Sequence, residues 1–123
     1  MTRKEHMQYL EEKKEEHYAF VVRRALAYMR ENLSRKISLT ELADYVGLSA
    51  AHLSRLIKKD TGKSFIDVLN QIRLETAVQL LREGRYKVYE VSNMVGIDNY
   101  AYFYQFFKKE TGKSPTEYIQ NRT

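Results

Sequence analysis

The chain has 123 residues, no cysteine, one proline and five glycines. That length allows one small domain or two very small ones, and the missing cysteines exclude a disulfide framework, a zinc finger and a thiol nucleophile. The net charge of +5 is unevenly placed: residues 1–20 carry four Lys/Arg against five Glu, whereas the remainder carries 17 against 11 acids.

A basic body points to a polyanionic partner such as nucleic acid or a membrane surface. No apolar run approaches the 18 residues that span a bilayer, so no membrane segment is expected. The charged start, Met1 to Glu16, holds no signal-peptide core, and a cytoplasmic protein is the expectation. Few glycines and a single proline favour helices over strands and turns.

Residues 1–20 read as a charged N-terminal helix or linker. Met7 and Leu10 precede Glu-Glu-Lys-Lys-Glu-Glu, where Glu11/Glu15 and Glu12/Glu16 repel mildly at helical spacing. No heptads are sustained, which disfavours a coiled coil. Val22, Ala25, Leu26, Met29 and Leu33 then form a helical stripe that should complete the core of a first unit.

Next comes one half of an internal repeat. Ile57-Lys-Lys-Asp-Thr-Gly-Lys-Ser-Phe-Ile-Asp-Val-Leu69 matches Phe107-Lys-Lys-Glu-Thr-Gly-Lys-Ser-Pro-Thr-Glu-Tyr-Ile119 at an offset of 50. Leu39-Thr-Glu-Leu-Ala-Asp-Tyr-Val-Gly-Leu48 matches Val88-Tyr-Glu-Val-Ser-Asn-Met-Val-Gly-Ile97 at an offset of 49. In the first copy Leu39, Leu42, Ala43 and Val46 share a helical face, and Ser38-Leu-Thr-Glu41 has capping-box spacing. Gly47 supplies a turn. Ser49 can cap a second helix with core positions Leu53, Leu56 and Ile57, ended by Gly62. Two short helices joined by a Gly-containing turn make a helix-turn-helix.

Residues 65–82 read as one longer helix. Phe65, Leu69 and Ile72 lie on one side, and Leu74, Ala77, Val78 and Leu81 on the other. A connector that docks first into one unit and then into the next has reason to switch faces. At about 1.5 Å per residue it spans about 27 Å. The second copy follows with Val88, Val91 and Val95, then Gly96, then Phe103, Phe106 and Phe107, then Gly112. Ser114-Pro-Thr-Glu117 closes with a capping box and proline at the first helical position.

Thr-Gly-Lys-Ser, at 61–64 and 111–114, has the ending of a phosphate-binding loop. That motif needs glycine five residues before its Gly-Lys-Ser, where Ile57 and Phe107 stand, so these are helix-end turns. His6, His17 and His52 have no histidine at i+3 or i+4, so neither a metal site nor a cofactor is expected. No nucleophile elbow or dinucleotide loop is present, and no enzymatic activity is expected.

At these residues the sequence resembles the AraC-type (AraC/XylS) bacterial transcription regulators, over residues 21 to about 120. The resemblance rests on Ile37-Ser-Leu-x-Glu-Leu-Ala, Val46-Gly-Leu-Ser and Lys58-Lys-Asp-Thr-Gly-Lys-Ser. It continues through Ile72-Arg-Leu-x-x-Ala-x-x-Leu-Leu, Val95-Gly-Ile-x-x-x-x-x-Phe and Phe107-Lys-Lys-Glu-Thr-Gly-Lys-Ser-Pro-x-Glu-Tyr. It implies an all-α fold of about seven helices, two helix-turn-helix subdomains (21–64 and 84–123) joined by a connector helix (65–83). It implies a monomeric module that binds two successive major-groove segments of double-stranded DNA with sequence specificity. Two departures stand out. Gln105 occupies a position that is usually basic in this family, and the second recognition helix is unusually aromatic. Most members carry a sensor or receiver domain before this one and nothing here resembles one, so the chain is either a stand-alone member or the C-terminal part of a longer regulator. RNA polymerase is a further candidate partner.

A recognition helix reads bases with the face turned away from its core. In the first unit that face is Ala50, Ala51, Ser54 and Arg55. Arg55 can pair bidentately with guanine, with a phosphate contact or an intramolecular ion pair as the alternatives. In the second unit the face is Asn99, Tyr100, Ala101, Tyr104 and Gln105, where Gln105 suits adenine and the tyrosines could instead cover the connector helix. Phosphate candidates are Lys58, Lys59, Lys63, Lys108, Lys109 and Lys113, with His52 at the side and the helix N-termini at Ser38 and Ser114. The competing reading is a basic helical adaptor for an acidic protein or RNA.

Overall fold

The computed structural model describes residues 1–120, and among them are seven helices and no strand. Residues 121–123, the end of the expected second subdomain, lie outside the described residues. The helices are α1 (Arg3–Glu31), α2 (Leu39–Val46), α3 (Ala50–Thr61), α4 (Phe65–Glu83), α5 (Val88–Met94), α6 (Tyr100–Thr111) and α7 (Pro115–Gln120). Two compact units are present. Among the described residues one comprises 1–31 and 38–65, the other 32–37 and 66–120.

In the first unit the charged segment 1–20 and the stripe that follows form one uninterrupted helix. No Gly or Pro breaks residues 3–31, and the Thr2 hydroxyl accepts from Glu5 N at 3.1 Å to start it. The repulsion anticipated between glutamates is offset in part by a Lys13–Glu16 pair at 3.5 Å, whose exposure makes it a weak contribution. Helices α1, α2 and α3 pack on one another. Val21, Val22, Ala25 and Met29 of α1 meet Leu42, Ala43 and Val46 of α2 and Leu53, Leu56 and Ile57 of α3 in a buried core. Each of the Val, Leu, Ile and Met side chains contributes about 1.5–3 kcal/mol by leaving water, and the two alanines less.

Helix termination explains the recurring Thr-Gly-Lys-Ser. The Thr61 hydroxyl donates to the Ile57 carbonyl at 2.7 Å and accepts from Lys63 N at 3.1 Å. Gly62 takes the left-handed conformation, φ +77°, and its N–H donates to the Lys58 carbonyl at 2.9 Å. Thr111, Gly112 and Lys113 repeat this at the end of α6, with hydroxyl bonds of 2.9 and 3.3 Å and φ +83° at the glycine. The motif is a helix stop, as its spacing implies.

In the second unit Ala77 and Leu81 of α4 pack with Val91 and Val95 of α5, Ile97, and Phe103 and Phe107 of α6. Leu74, Val78, Phe106, Tyr118 and Ile119 flank this cluster. Along α4 the buried positions move round the helix: Phe65, Val68, Leu69 and Ile72 first, then Ala77 and Leu81. Leu33, read from sequence as the end of the α1 stripe, falls in the second unit instead, its carbonyl against Gly96.

Candidate nucleic-acid interface

Helix α3 starts at Ser49, whose hydroxyl accepts from His52 N at 3.1 Å. With Leu53, Leu56 and Ile57 turned inward, Ala51 and Arg55 are exposed one turn apart, and Ala50 and Ser54 are half-buried beside them. Among the described residues no hydrogen bond or ion pair engages Arg55. His52 is half-buried and set edge-on to Tyr18 of α1, ring centroids 5.1 Å apart. That contact fits packing. Lys58, Lys59 and Lys63 are exposed at the helix end.

Helix α6 follows the same plan with different side chains. Phe103 and Phe107 are fully buried, their rings 5.9 Å apart. Ala101 and Gln105 are exposed one turn apart, as Ala51 and Arg55 are in the first unit. Tyr100 is exposed and Tyr104 half-buried. Lys108, Lys109 and Lys113 are exposed.

Two of the expected contact residues hold helix starts. Asn99, expected to read bases, is the N-cap of α6: its side-chain oxygen accepts from Tyr102 N at 3.0 Å. One extra residue, Asp98, shifts the second copy so that Asn99 does the work of Ser49. Ser114, expected beside phosphate, is only 1% exposed, and its hydroxyl accepts from Glu117 N at 3.1 Å. Its side chain caps α7 from inside the fold. Ser38 is exposed and caps α2 by accepting from Glu41 N at 3.0 Å. The Glu41 carboxylate already supplies negative charge to that helix start, where it accepts from the Tyr28 hydroxyl at 2.5 Å.

Two residues of the second unit were not singled out from sequence. Tyr102, the counterpart of His52, is 57% exposed on the first turn of α6, its ring stacked on Phe106 at 6.2 Å. The offset of 50 between the copies was the signal available for it. Arg73 of α4 carries a buried Nε without a hydrogen-bond partner. Burial pushes its guanidinium below the usual arginine range, and the neighbouring Tyr102 pushes it back up.

Two recognition-type helices on matched frames, each with a lysine-tipped end, define a double helix-turn-helix DNA-binding domain. A family profile described as a helix-turn-helix domain matches residues 42–121. The C-terminal domain of AraT, a response regulator from Geobacillus stearothermophilus, matches with a TM-score of 0.77 at 38% identity, covering 84% of this chain and 86% of that one. The DNA-binding domain of AdpA, a global transcriptional factor solved in complex with a target DNA, matches with a TM-score of 0.72 at 26% identity, covering 84% and 89%. The MmsAB operon regulatory protein of Pseudomonas aeruginosa is 37% identical over 94 residues, which are 76% of this chain and 31% of that protein. The chain belongs to the AraC-type helix-turn-helix family and is a DNA-binding domain of the transcription-regulator kind. It spans less than half the length of the curated relatives it matches.

Proposed function

We propose that this domain binds duplex DNA as a monomer, with α3 and α6 in successive major-groove segments, and selects sequence through both. The observation that carries this is the pair of matched helices. Each has an exposed i, i+4 face, Ala51 with Arg55 and Ala101 with Gln105, and two lysines in its last turn. Arg55 has the free guanidinium that a guanine needs at O6 and N7, and Gln105 has the amide that fits adenine N6 and N7. The Ala51 methyl suits a thymine methyl, and Tyr100 suits sugar or a thymine methyl. Ala50, Ser54, Ala101 and the half-buried Tyr104 line these faces. Lys58, Lys59, Lys63, Lys108, Lys109 and Lys113 neutralise phosphates, and the exposed Ser38 end of α2 lies among the candidate backbone donors.

The greater length of the relatives supports a setting in which the domain works within a larger bacterial regulator in the cytoplasm. A sensor or receiver domain would supply the signal, and RNA polymerase would be the downstream partner. The reading assigns no catalytic step and no cofactor to these residues.

Selection from a random duplex library tests the proposal. A motif of about 16–20 bp with two boxes a helical turn apart supports it. Binding without base preference, or preference for RNA or an acidic protein, contradicts it and favours the adaptor reading.

A further inference from the structure

We propose that the N-terminal part of α1 is a further DNA-contacting surface of the first unit, with Lys14 and His17 on phosphates beside the first box. This rests on the reading that α3 enters DNA.

Residues 1–17 are exposed throughout, although α1 is helical from Arg3. At about 1.5 Å per residue, residues 3–17 carry the helix about 22 Å beyond the part that holds Val21, Val22, Ala25 and Met29 in the core. The balance of four Lys/Arg against five Glu in residues 1–20 conceals how those charges are arranged. At about 100° per residue, Arg3, His6, Lys13, Lys14 and His17 fall in one sector of the helix about 100° wide. The five glutamates fall in another, about 140° wide, and only Lys4 breaks the division. A helix solvated on all sides has no need to sort its charges. One that lies against a polyanion does, with the acidic side turned away.

Ring contacts fix where two of these basic residues sit. The Tyr18 ring stands edge-on to His52 in the first turn of α3, centroids 5.1 Å apart. Lys14 Nζ lies over the same Tyr18 ring, 5.8 Å from its centroid, and the His17 ring is also 5.8 Å from it. Tyr18 thus seats Lys14 and His17 beside the end of α3 that enters the groove. Among the described residues no carboxylate pairs with Lys14, whereas Lys13 is held by Glu16 at 3.5 Å. An ammonium offers three donors and an imidazole at least one, and both match phosphate oxygens. The ligand chemistry is therefore the sugar-phosphate backbone adjoining the first box, contacted by a helix that is not part of the helix-turn-helix.

The test compares wild type with K14A/H17A and with K14E/E12K, which keeps the net charge but moves the cation to the acidic side. Lys14, His17 and Glu12 are all exposed, so the fold is retained, and circular dichroism verifies it. Binding to the selected duplex is measured in a salt titration and with single methylphosphonate substitutions, each of which removes one phosphate charge. K14A/H17A is expected to bind about three- to tenfold more weakly, with base preference unchanged and the salt slope lower by about one. K14E/E12K should lose at least as much. Neutralising phosphates beside the first box should weaken wild type and leave K14A/H17A unaffected, while phosphates of the second box should matter equally to both. Unchanged binding by K14A/H17A, full binding by K14E/E12K, or one methylphosphonate pattern shared by wild type and K14A/H17A overturns the proposal. So does a wild-type dimer that K14A/H17A dissolves, which gives this face to a second copy. If wild type selects no sequence, the DNA-reading assignment fails and this inference with it; if wild type selects two boxes and both variants match it, only this inference fails.

Discussion

The two helix-turn-helix copies share a skeleton and differ in what they show to solvent. Helices α3 and α6 are both 12 residues long, capped by a side-chain oxygen at Ser49 and Asn99 and stopped by Thr61-Gly62 and Thr111-Gly112. Their inner faces already diverge, with Leu53 and Ile57 in one and Phe103 and Phe107 in the other. Their outer faces diverge more: small residues and a free arginine at Ala51, Ser54 and Arg55, against tyrosines and an amide at Tyr100, Tyr102, Tyr104 and Gln105. Backbone geometry is therefore held constant by caps and stops, while the chemistry offered to a ligand varies on top of it. On the proposed reading, a duplicated unit reads two different boxes with one way of folding.

The turns offer the sharpest way to break the likeness. Gly47 and Gly96 both have positive φ, but a Cβ on Gly47 meets nothing within 4 Å, whereas one on Gly96 meets the Leu33 carbonyl. Gly47→Ala should cost about 1–2 kcal/mol, the price of the left-handed conformation alone. Gly96→Ala should cost clearly more, because backbone must move to admit the methyl. Urea unfolding of both variants checks this; equal losses would show that the two turns are equivalent after all.

The reading faces should separate next. Arg55→Ala should remove about 1–3 kcal/mol of discrimination at one position of the first box and leave the second box intact. Gln105→Ala should do the converse. Base preferences from library selection decide it, and an equal loss in both boxes would contradict the assignment.

The lysines should behave alike in both copies. Replacing Lys108 and Lys109 with Ala should weaken all sequences similarly and lower the salt slope by about two, and the Lys58/Lys59 pair should match it. A changed base preference would instead make them readers. The smallest difference is expected at the caps. Ser49→Ala and Asn99→Ala should each cost about 1 kcal/mol. A much larger effect of Asn99→Ala on binding than on thermal stability would make Asn99 a base contact as well as a cap.

Most of the skeleton was legible because its signals are local. Ser49, Gly62, Thr111 and the buried positions Leu53, Ile57, Phe103 and Phe107 announce themselves within one or two helical turns, and the repeat supplies each reading twice. What local signals did not reveal lies where a long-range contact or a single inserted residue intervenes. Asp98 moved the cap onto Asn99. Ser114 is buried because α7 folds against Phe107, with Tyr118 edge-on to that ring at 5.7 Å. Leu33 continues the α1 stripe in sequence, yet its carbonyl serves the Gly96 turn. Arg73 sits among apolar residues in a motif that reads as core, and only the fold reveals what surrounds its Nε. The charged segment 1–20 carried no decisive local signal between helix and linker. Its lack of Gly and Pro, together with continuity into Val21 and Val22, made it part of α1.

Hydroxyl-radical footprinting on a selected duplex examines the two-probe account most directly. Two protected patches on one face of the DNA, about 34 Å or one helical turn apart, are the predicted result, with Arg55→Ala altering only one of them. A single patch, or uniform weak protection that vanishes with salt, would contradict it.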